Sequence, residues 1–402
     1  MSKHFSITAS MAMVVLSATA EAADGSRFNP DISLILDGRF AAFDNETDYE
    51  LPGFMLGGEA GRGEEGFHIG HSELSLSANV DDLFFGKLTA ALHDHEGETE
   101  VELEEAFVES LALGQGVGVK AGRFFSGLGY LNQQHPHAWD FTDAPLIYRG
   151  LFGDQLLDDG VQLSWIAPTE LFLKFGGEIT RGERFPAGGA SKDGKGAGTL
   201  FAKFGGDIGE SQSWQIGISH WRADIEGRTS GGHSHGEGAE EIPTYSGDTQ
   251  VSGIDFVWKW APYGNSTERN LKIQGEYFVR DEEGDVVMDD GSESPESTTY
   301  DGEQKGGYLQ AVYQFMPRWR AGLRYDWLDS DNQGSDEEVL AEAGLDNEGH
   351  TPQRWTLMGD YSYSEYSRFR LQFARDESYE DSDNIFTLQY IMSLGSHGAH
   401  QF

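Results

Sequence analysis

The sequence contains no cysteine among its 402 residues, and its 28 basic side chains are outnumbered by 68 acidic ones. The absence of cysteine excludes disulfides, thiolate metal sites and cysteine nucleophiles. The shortage of basic residues leaves a formal net charge of −40, which disfavours nucleic acid as a partner and attracts cations. Long apolar runs are also missing, since no window approaches the roughly 18 continuous apolar residues of a membrane-spanning helix.

Aromatic residues are abundant, with 9 Trp, 15 Tyr and 25 Phe. This content argues against a disordered chain, because disordered chains are poor in aromatic residues. Hydrophobic residues make up only 38% of the sequence. That value is compatible with a membrane β-barrel, because the strands of such a barrel alternate apolar and polar residues and dilute the hydrophobic signal.

The first 22 residues have the pattern of an export signal. Lys3 and His4 precede a short apolar stretch over residues 7–18, and Ala20-Glu21-Ala22 fits a small-x-small cleavage pattern. The alternative interpretation is a buried N-terminal helix. We expect cleavage after Ala22, with residues 23–402 forming the mature domain.

The mature chain alternates short strands with turns and loops. The pattern predicts sixteen strands, with fourteen or eighteen as the alternatives. The predicted ranges are 32–43, 67–81, 83–93, 100–112, 117–125, 160–167, 171–182, 198–208, 213–223, 250–261, 270–281, 305–316, 319–329, 353–364, 367–376 and 384–395. Alternation is clear over 367–373, where Phe369, Leu371 and Phe373 share one face.

The connections distinguish a membrane barrel from a soluble β-sandwich. Short turns alternate with long polar loops, and the long loops are predicted at 44–66, 126–159, 183–197, 224–249, 282–304 and 330–352. Outer-membrane barrels show this asymmetry between periplasmic turns and outer loops. The sequence therefore predicts an all-β fold: a transmembrane antiparallel β-barrel of about sixteen strands in the outer membrane of a Gram-negative bacterium.

Several segments carry a resemblance to a known family. They are Gly118-Val119-Lys120-Ala121-Gly122-Arg123-Phe124-Phe125-Ser126, the following Gly127-Leu128-Gly129-Tyr130, Asp37-Gly38-Arg39-Phe40, and Phe386-Thr387-Leu388-Gln389-Tyr390 in the strand that leads to Phe402. The chain resembles bacterial porins, most nearly the phosphate-selective porin superfamily and its relatives of unassigned substrate. The resemblance implies a sixteen-stranded, trimeric pore for passive diffusion, in which the third outer loop narrows the lumen. Phosphate selectivity is not carried over, because the chain is overwhelmingly acidic.

The third long loop, residues 126–159, is the candidate constriction. Its candidate pore-lining acids are Asp140, Asp143 and Asp154. Carboxylates at a constriction favour cations, because they raise the local cation concentration. The alternative is that these acids only solvate an exposed loop.

Arginines recur on the polar faces of the strands near the C-terminus. The candidate pore-lining set is Arg320, Arg324, Arg354, Arg368 and Arg370. Opposite an acidic loop they would make the pore locally bipolar. The alternative is salt bridging between strands inside the lumen.

Ten of the thirteen histidines occur as close pairs. The candidate metal ligands are His93, His95, His135, His137, His233 and His235. Imidazole together with nearby carboxylates suits zinc or another divalent ion, but two ligands alone make a weak site. The alternative is that these are hydrophilic loop histidines. We expect no required cofactor.

The sequence predicts a passive outer-membrane porin for small hydrophilic solutes, cation-biased and linked to divalent metal uptake. The alternative is a metal-binding or adhesive surface protein that uses the barrel as a scaffold. No catalytic motif is present, so we expect no enzymatic activity. The expected partners are outer-membrane lipid, lipopolysaccharide bridged by divalent cations on the acidic loops, small solutes or cations, and further copies of the chain.

Overall fold

The structure is a computed structural model that describes residues 30–45, 51–57, 60–61, 63–95, 98–189, 195–230, 242–289, 295–379 and 382–395. The predicted signal segment, residues 1–22, lies outside the described residues. The side chains of residues 93–95, 98–99 and 289 lie outside the described part as well.

One sheet of antiparallel strands closes on itself as a barrel, because the first strand pairs with the last from Ser33 opposite Gly395 to Ala42 opposite Phe386. The strands are β1 (Asp31–Ala42), β2 (Gly66–Ile69), β3 (Ser72–Asn79), β4 (Phe84–His95), β5 (Glu98–Ser110), β6 (Val117–Phe125), β7 (Leu157–Ile166), β8 (Phe172–Thr180), β9 (Ala197–Ile208), β10 (Gln212–Thr229), β11 (Ile242–Trp260), β12 (Asn270–Asp289), β13 (Glu296–Met316), β14 (Trp319–Gly334), β15 (Gln353–Ser364), β16 (Ser367–Glu377) and β17 (Asp383–Gly395).

Strands β2 and β3 share one position in the wall, because both pair with β1 and only Gly70 and His71 separate them. The barrel therefore has sixteen strand positions, and the predicted fold class is confirmed. Closure matters physically, because a closed sheet leaves no unpaired edge in the bilayer.

Outside an apolar core beside β10 to β14, the strands turn apolar side chains outward and polar side chains inward. On β16, Phe369, Leu371 and Phe373 are exposed on the outer face, whereas Arg370 and Gln372 are buried inside the barrel. Aromatic pairs on the outer face link neighbouring strands, as Tyr325 and Trp355 do with ring centroids 4.4 Å apart. This exposed apolar surface is suited to lipid, which explains why the sequence alternates with a period of two.

Strands β10 to β13 are longer than a bilayer requires. They contain 18, 19, 20 and 21 residues, whereas a tilted strand crosses with about 9–11. The predicted loops 224–249 and 282–304 were therefore too long, because much of each is hairpin that continues the sheet past the bilayer, and the loop 330–352 was too long by the last five residues of β14. Strand pairing persists there because the polar side chains of these segments do not prevent backbone hydrogen bonding.

Two short helices lie in the outer connections. Helix α1 (Leu146–Phe152) belongs to the connection between β6 and β7, and helix α2 (Glu337–Glu342) follows β14. No helix among the described residues has the length and hydropathy to cross a membrane. An apolar core lies inside the barrel, where residues 51–56, the β6–β7 connection and α2 pack against the inner faces of β10 to β14.

Candidate functional site

The connection from Ser126 to Leu156, the third loop, folds inside the barrel. Its seven-residue helix α1 is buried over its whole length and ends at Gly153, which has a φ of +62°. Glycine is the usual residue in the left-handed conformation at the end of a helix, because it has no Cβ to clash. The third loop therefore occupies part of the barrel interior, whereas its role as the constriction of a pore stays a prediction.

The wall strand β12 anchors the loop through one carboxylate. Glu276 accepts hydrogen bonds from the backbone N–H groups of Tyr130 and Leu131, both at 2.9 Å. It also accepts from the hydroxyl groups of Tyr148, at 2.9 Å, and Tyr308, at 2.6 Å. Four donors satisfy this buried carboxylate, so its charge costs less than an isolated buried charge would.

Apolar packing holds α1 on the same side of the barrel. The Phe152 ring lies 5.4 Å from the Phe278 ring in an edge-to-face arrangement, and Tyr148 packs on both. Leu146 and Leu151 are completely buried. Burying a side chain of this size stabilises the folded state by about 1.5–3 kcal/mol, so α1 is a firmly packed part of the lumen.

Five arginines on β14 to β16 face the lumen and run along the loop; we call them the arginine ladder. The ladder consists of Arg320, Arg324, Arg354, Arg368 and Arg370. Arg368 donates to the backbone oxygen of His137 at 2.8 Å, and Arg370 donates to that of Trp139 at 3.0 Å. Arg354 donates to the backbone oxygen of Ala144 at 3.0 Å. The ladder thus fastens residues 137–144 of the loop.

Loop and wall carboxylates balance the ladder. Asp140 lies 2.9 Å from Arg320 and 3.0 Å from Lys272. Asp143 lies 3.0 Å from both Arg324 and Arg354. Burial opposes ionisation of both aspartates, but these cations outweigh burial and hold the pKa of each carboxyl far below its usual range.

The predicted pore-lining residues are thus brought together at one side of the lumen. Arg324, Arg354 and Arg370 are each about 1% exposed, and Asp140 is about 6% exposed. Because these side chains are buried and paired with each other, the ladder fastens the third loop to the barrel wall. A role in lining the pore stays a prediction for this set.

The third predicted pore-lining acid, Asp154, follows the end of α1. Burial raises the pKa of Asp154 to about 6, and Arg149, whose Nε lies 3.9 Å from the carboxylate, offsets only part of this effect. Asp154 has a φ of +87°. Aspartate tolerates this backbone better than most residues other than glycine.

A second group of titratable residues lies where the loop meets β2 to β5; we call it the histidine–glutamate cluster. It consists of His71, Glu73, Glu104, Glu105, His135 and His137. Two of its three histidines, His135 and His137, come from the loop. The His71 Nε2 atom lies 3.0 Å from Glu104 Oε1 and 3.3 Å from Glu73 Oε1.

The loop histidines reach the same carboxylates. His135 Nδ1 lies 3.1 Å from Glu73 Oε2 and 3.4 Å from Glu104 Oε2. His137 Nδ1 lies 2.7 Å from Glu73 Oε1. The other nitrogen of His135, Nε2, lies 2.8 Å from Glu105 Oε2. Burial opposes a positive charge on His135, but Glu73, Glu104 and Glu105 outweigh it and raise its pKa well above the ordinary value.

The structure does not describe the side chains of the remaining predicted metal ligands. His93 and His95 lie at the end of β4 with side chains outside the described part, and His233 and His235 lie outside the described residues. Sequence reasoning missed His71, Glu73, Glu104 and Glu105 as ligand candidates. A usable signal was the adjacent pair Glu104-Glu105, because strict alternation would point one of them at lipid.

A cavity of about 550 Å³ lies at the short-turn end of β9 to β14. Asp140, Lys272 and Arg320 contribute to its lining, together with Ser211 and Gln212 of the β9–β10 turn. The loop and its contact with Arg320 thus border a cavity large enough for many water molecules at the short-turn end of the barrel.

No protein-family model matches the sequence. An uncharacterised protein of Aquifex aeolicus (strain VF5) is 33% identical over 405 residues, which cover 93% of this chain and 80% of that protein.

Solved structures with a similar fold are outer-membrane proteins. A loop L8 deletion mutant of OmpT from Vibrio cholerae matches with a TM-score of 0.56 and 12% identity, covering 91% of this chain and 99% of that chain. The outer-membrane channel DcaP of Acinetobacter baumannii matches with a TM-score of 0.54 and 13% identity, covering 93% and 100%. At such identities the likeness concerns the fold. A specific tie to the phosphate-selective superfamily stays a prediction.

The closed barrel, its lipid-suited outer face and its fold relatives all place the protein in the outer membrane of a Gram-negative bacterium. Its architecture is porin-like, with a loop folded into the lumen. The chain belongs to the same family as the uncharacterised Aquifex aeolicus protein.

Proposed function

We propose that this protein is a passive porin for small hydrophilic solutes with a preference for cations. The observation that carries the proposal is the third loop, which lies inside a closed sixteen-position barrel beside the buried polar side chains of Glu73, Thr89, Glu104 and Glu105 on β3 to β5. Outer-membrane porin-like relatives of the fold support a passive channel.

The net charge of the chain, −40, supports the cation preference. The five ladder arginines lie among five aspartates, which are Asp140, Asp143, Asp326, Asp360 and Asp376. Beside the ladder, the three carboxylates of the cluster face its three histidines and the neighbouring Lys87, which lies 2.5 Å from Glu105, so the charges of both regions are largely paired. Carboxylates at a narrow point raise the local concentration of cations.

Divalent metal ions such as zinc are among the cations that we propose the pore passes. Imidazole and carboxylate groups together are the ligands that zinc takes up in proteins. A passage that borders such groups would concentrate these ions from dilute solution.

The test is single-channel recording of the refolded protein in planar bilayers, with reversal potentials measured under a KCl gradient. We expect stable conductance steps and a reversal potential of the sign that potassium permeation gives. Glu105→Gln should reduce the cation preference, whereas the control Glu303→Gln, at a partly exposed outer position beside Lys305, should not. A wild-type pore that prefers chloride would contradict the proposal.

The apolar core inside the barrel favours a second candidate, a scaffold that carries no current. Residues such as Phe54, Ile147, Tyr245 and Phe278 fill the outer half of the lumen beside β10 to β14. A correctly folded barrel that gives no conductance steps would favour a metal-binding or adhesive surface protein. Sodium and potassium currents distinguish the two functions directly.

We also propose that the chain forms homo-oligomers, because OmpT of Vibrio cholerae, a relative of the fold, was solved in a trimer form. The acidic hairpins of β12 and β13 would meet lipopolysaccharide through bridging divalent cations. Analytical ultracentrifugation in detergent tests the oligomer, and a monomer under all conditions would contradict it.

A further inference from the structure

The histidine–glutamate cluster draws ligands from three separate parts of the chain. His71 and Glu73 come from the β2–β3 wall position, Glu104 from β5, and His135 from the third loop. One nitrogen of His71 and one oxygen from each of Glu73 and Glu104 all lie within 4.8 Å of one another. These parts are distant in the sequence, so it is the fold that brings their side chains together.

Two interruptions of the sheet aim these side chains at one point. Between the pairs Gly38–Ile69 and Ile35–Glu73, the β2–β3 side has one residue more than β1, so the wall bulges at Gly70 and His71. On β5, Thr89 pairs with Glu105 and Ala90 with Leu103, so Glu104 is an extra residue. β-bulges re-aim side chains and concentrate near functional sites.

The bulge on β5 explains why adjacent residues share a face. Regular alternation would send either Glu104 or Glu105 to the lipid side. Instead both are buried in the lumen, at about 4% and 6% exposure. Each bulge interrupts the backbone hydrogen bonding of the sheet, and both direct side chains into the same small volume.

The distances suit a metal ion. Zinc binds imidazole nitrogen and carboxylate oxygen at about 2.0–2.2 Å, so neighbouring ligands in a tetrahedral site lie about 3.3 Å apart. Nε2 of His71 lies 3.0 and 3.3 Å from the Oε1 atoms of Glu104 and Glu73, and Nδ1 of His135 lies 3.4 and 3.1 Å from their Oε2 atoms. The two carboxylates thus lie between the two histidines, and each can turn either oxygen toward an ion. Within the described residues, Oε2 of the buried Glu104 accepts no well-formed hydrogen bond, and His135 Nδ1 lies 3.4 Å from it.

A supporting residue is present as well. The far nitrogen of His135 lies 2.8 Å from Glu105, and Lys87 in turn contacts Glu105. Histidines that bind metal usually hold a carboxylate with their other nitrogen, which fixes the ring orientation and strengthens the ligand. Glu105 has this relation to His135.

We infer that two histidines and two glutamates of the cluster form a binding site for one divalent transition-metal ion of the zinc type. The ligands are His71, Glu73, Glu104 and His135. The bound ion ties the third loop to the wall strands β2, β3 and β5. This inference rests on the proposed function only in placing the site beside the passage for ions. Metal binding itself does not require that the barrel conducts ions.

The experiment measures metal binding by the refolded, detergent-solubilised full-length mature chain, with Co²⁺ as an absorbing probe and Zn²⁺ as its competitor. We expect one Co²⁺ per chain, with the strong visible absorption of a four-coordinate site, displaced by Zn²⁺. Because the chain lacks cysteine, no thiolate band will overlap the spectrum.

Glu104→Gln and His71→Gln should each weaken Co²⁺ binding by at least about 10–100-fold, since losing a ligand costs no less than losing its supporting residue. The matched control is His220→Gln, because His220 is exposed on β10 and contacts Ser252 instead of the cluster. Heat-modifiable migration in gels confirms that each variant is folded.

A folded wild type that does not bind Co²⁺ would overturn the inference, and so would unchanged affinity in the double variant His71→Gln/Glu104→Gln. A silent barrel that binds Co²⁺ through these residues would refute the porin and leave the metal site standing. A barrel that conducts ions but does not bind Co²⁺ would support the porin and refute the metal site.

Discussion

The arginine ladder and the histidine–glutamate cluster hold neighbouring stretches of the third loop, and they differ in the kind of charge they place there. The ladder pairs arginines with aspartates, and arginine cannot lose its proton in a protein. The cluster sets histidines against glutamates, and histidine both exchanges protons and ligates metals. Permanent charges fasten the loop on one side, whereas exchangeable groups meet it on the other.

Both regions have buried centres, since Glu104 and Glu105 are about 4% and 6% exposed and Arg324 about 1%, but their neighbouring residues differ in exposure. Thr356 and Arg354 on the ladder side are at most 1% exposed. On the cluster side, the Lys87 side chain is 25% exposed. His137 belongs to both regions, because its backbone oxygen accepts from Arg368 while its ring contacts Glu73. We therefore expect ions to pass beside Lys87, at the edge of the cluster.

The largest effect should come from breaking the ladder. Arg354→Ala leaves Asp143, Asp326 and Asp376 with one cation fewer in a buried setting. Removing one partner of a buried ion pair costs about 3–5 kcal/mol. We expect a lower midpoint of unfolding in urea and noisier current steps, since the loop loses its contact at Ala144.

The matched control for Arg354→Ala is Lys305→Ala, which removes a partly exposed pair with Glu303. Exposed pairs are worth about 0–1 kcal/mol, so the midpoint should hardly move. Equal effects of the two substitutions would contradict a fastening role for the ladder.

A smaller effect should follow from altering the support of the cluster. Glu105→Gln keeps the size of the side chain but removes the charge that faces His135. Supporting residues of this kind change metal affinity by about 10–100-fold, which corresponds to about 1.4–2.7 kcal/mol. We expect weaker Co²⁺ binding and a smaller drop in the urea midpoint than Arg354→Ala gives, because the Lys87 side chain that loses its partner is 25% exposed. Unchanged Co²⁺ binding would show that Glu105 does not support the site.

The smallest effect should come from Asp154→Asn. The pKa of Asp154 is raised to about 6, so the folded state holds this proton more tightly than the unfolded chain does. Wild-type stability from this group is fullest below pH 4 and falls as pH rises toward 6. Asn removes that loss, so it should stabilise the barrel at pH 8 more than at pH 5, by about 1 kcal/mol or less for this partly exposed group. A stabilisation that is greater at pH 5 would contradict the raised pKa.

The sequence predicted the barrel well because alternation is a local signal. Strand positions such as those of Phe369 and Leu371 follow from the period of two, and sixteen strands were predicted and confirmed. The ends of the long hairpins were missed, because pairing beyond the bilayer needs no apolar face. Residues 242–249 of β11 thus looked like loop.

The site was only half accessible to sequence reasoning. His135 and His137 stood out as a pair on the loop, and the ladder arginines stood out by their alternation. Their partners did not, because His71 and Glu104 reach the lumen through bulges, which shift register without a strong local signature. Convergence of three distant segments is a property of the closed barrel.

The most direct test of this comparison is substituted-cysteine accessibility in single channels, since the chain has no native cysteine. Ser75→Cys places a thiol on the cluster side, beside Thr89, and Thr356→Cys places one on the fully buried ladder side. A charged methanethiosulfonate reagent should change the current rapidly at Ser75→Cys and leave Thr356→Cys unaffected. Rapid modification at Thr356→Cys with none at Ser75→Cys would contradict a passage that runs beside the cluster.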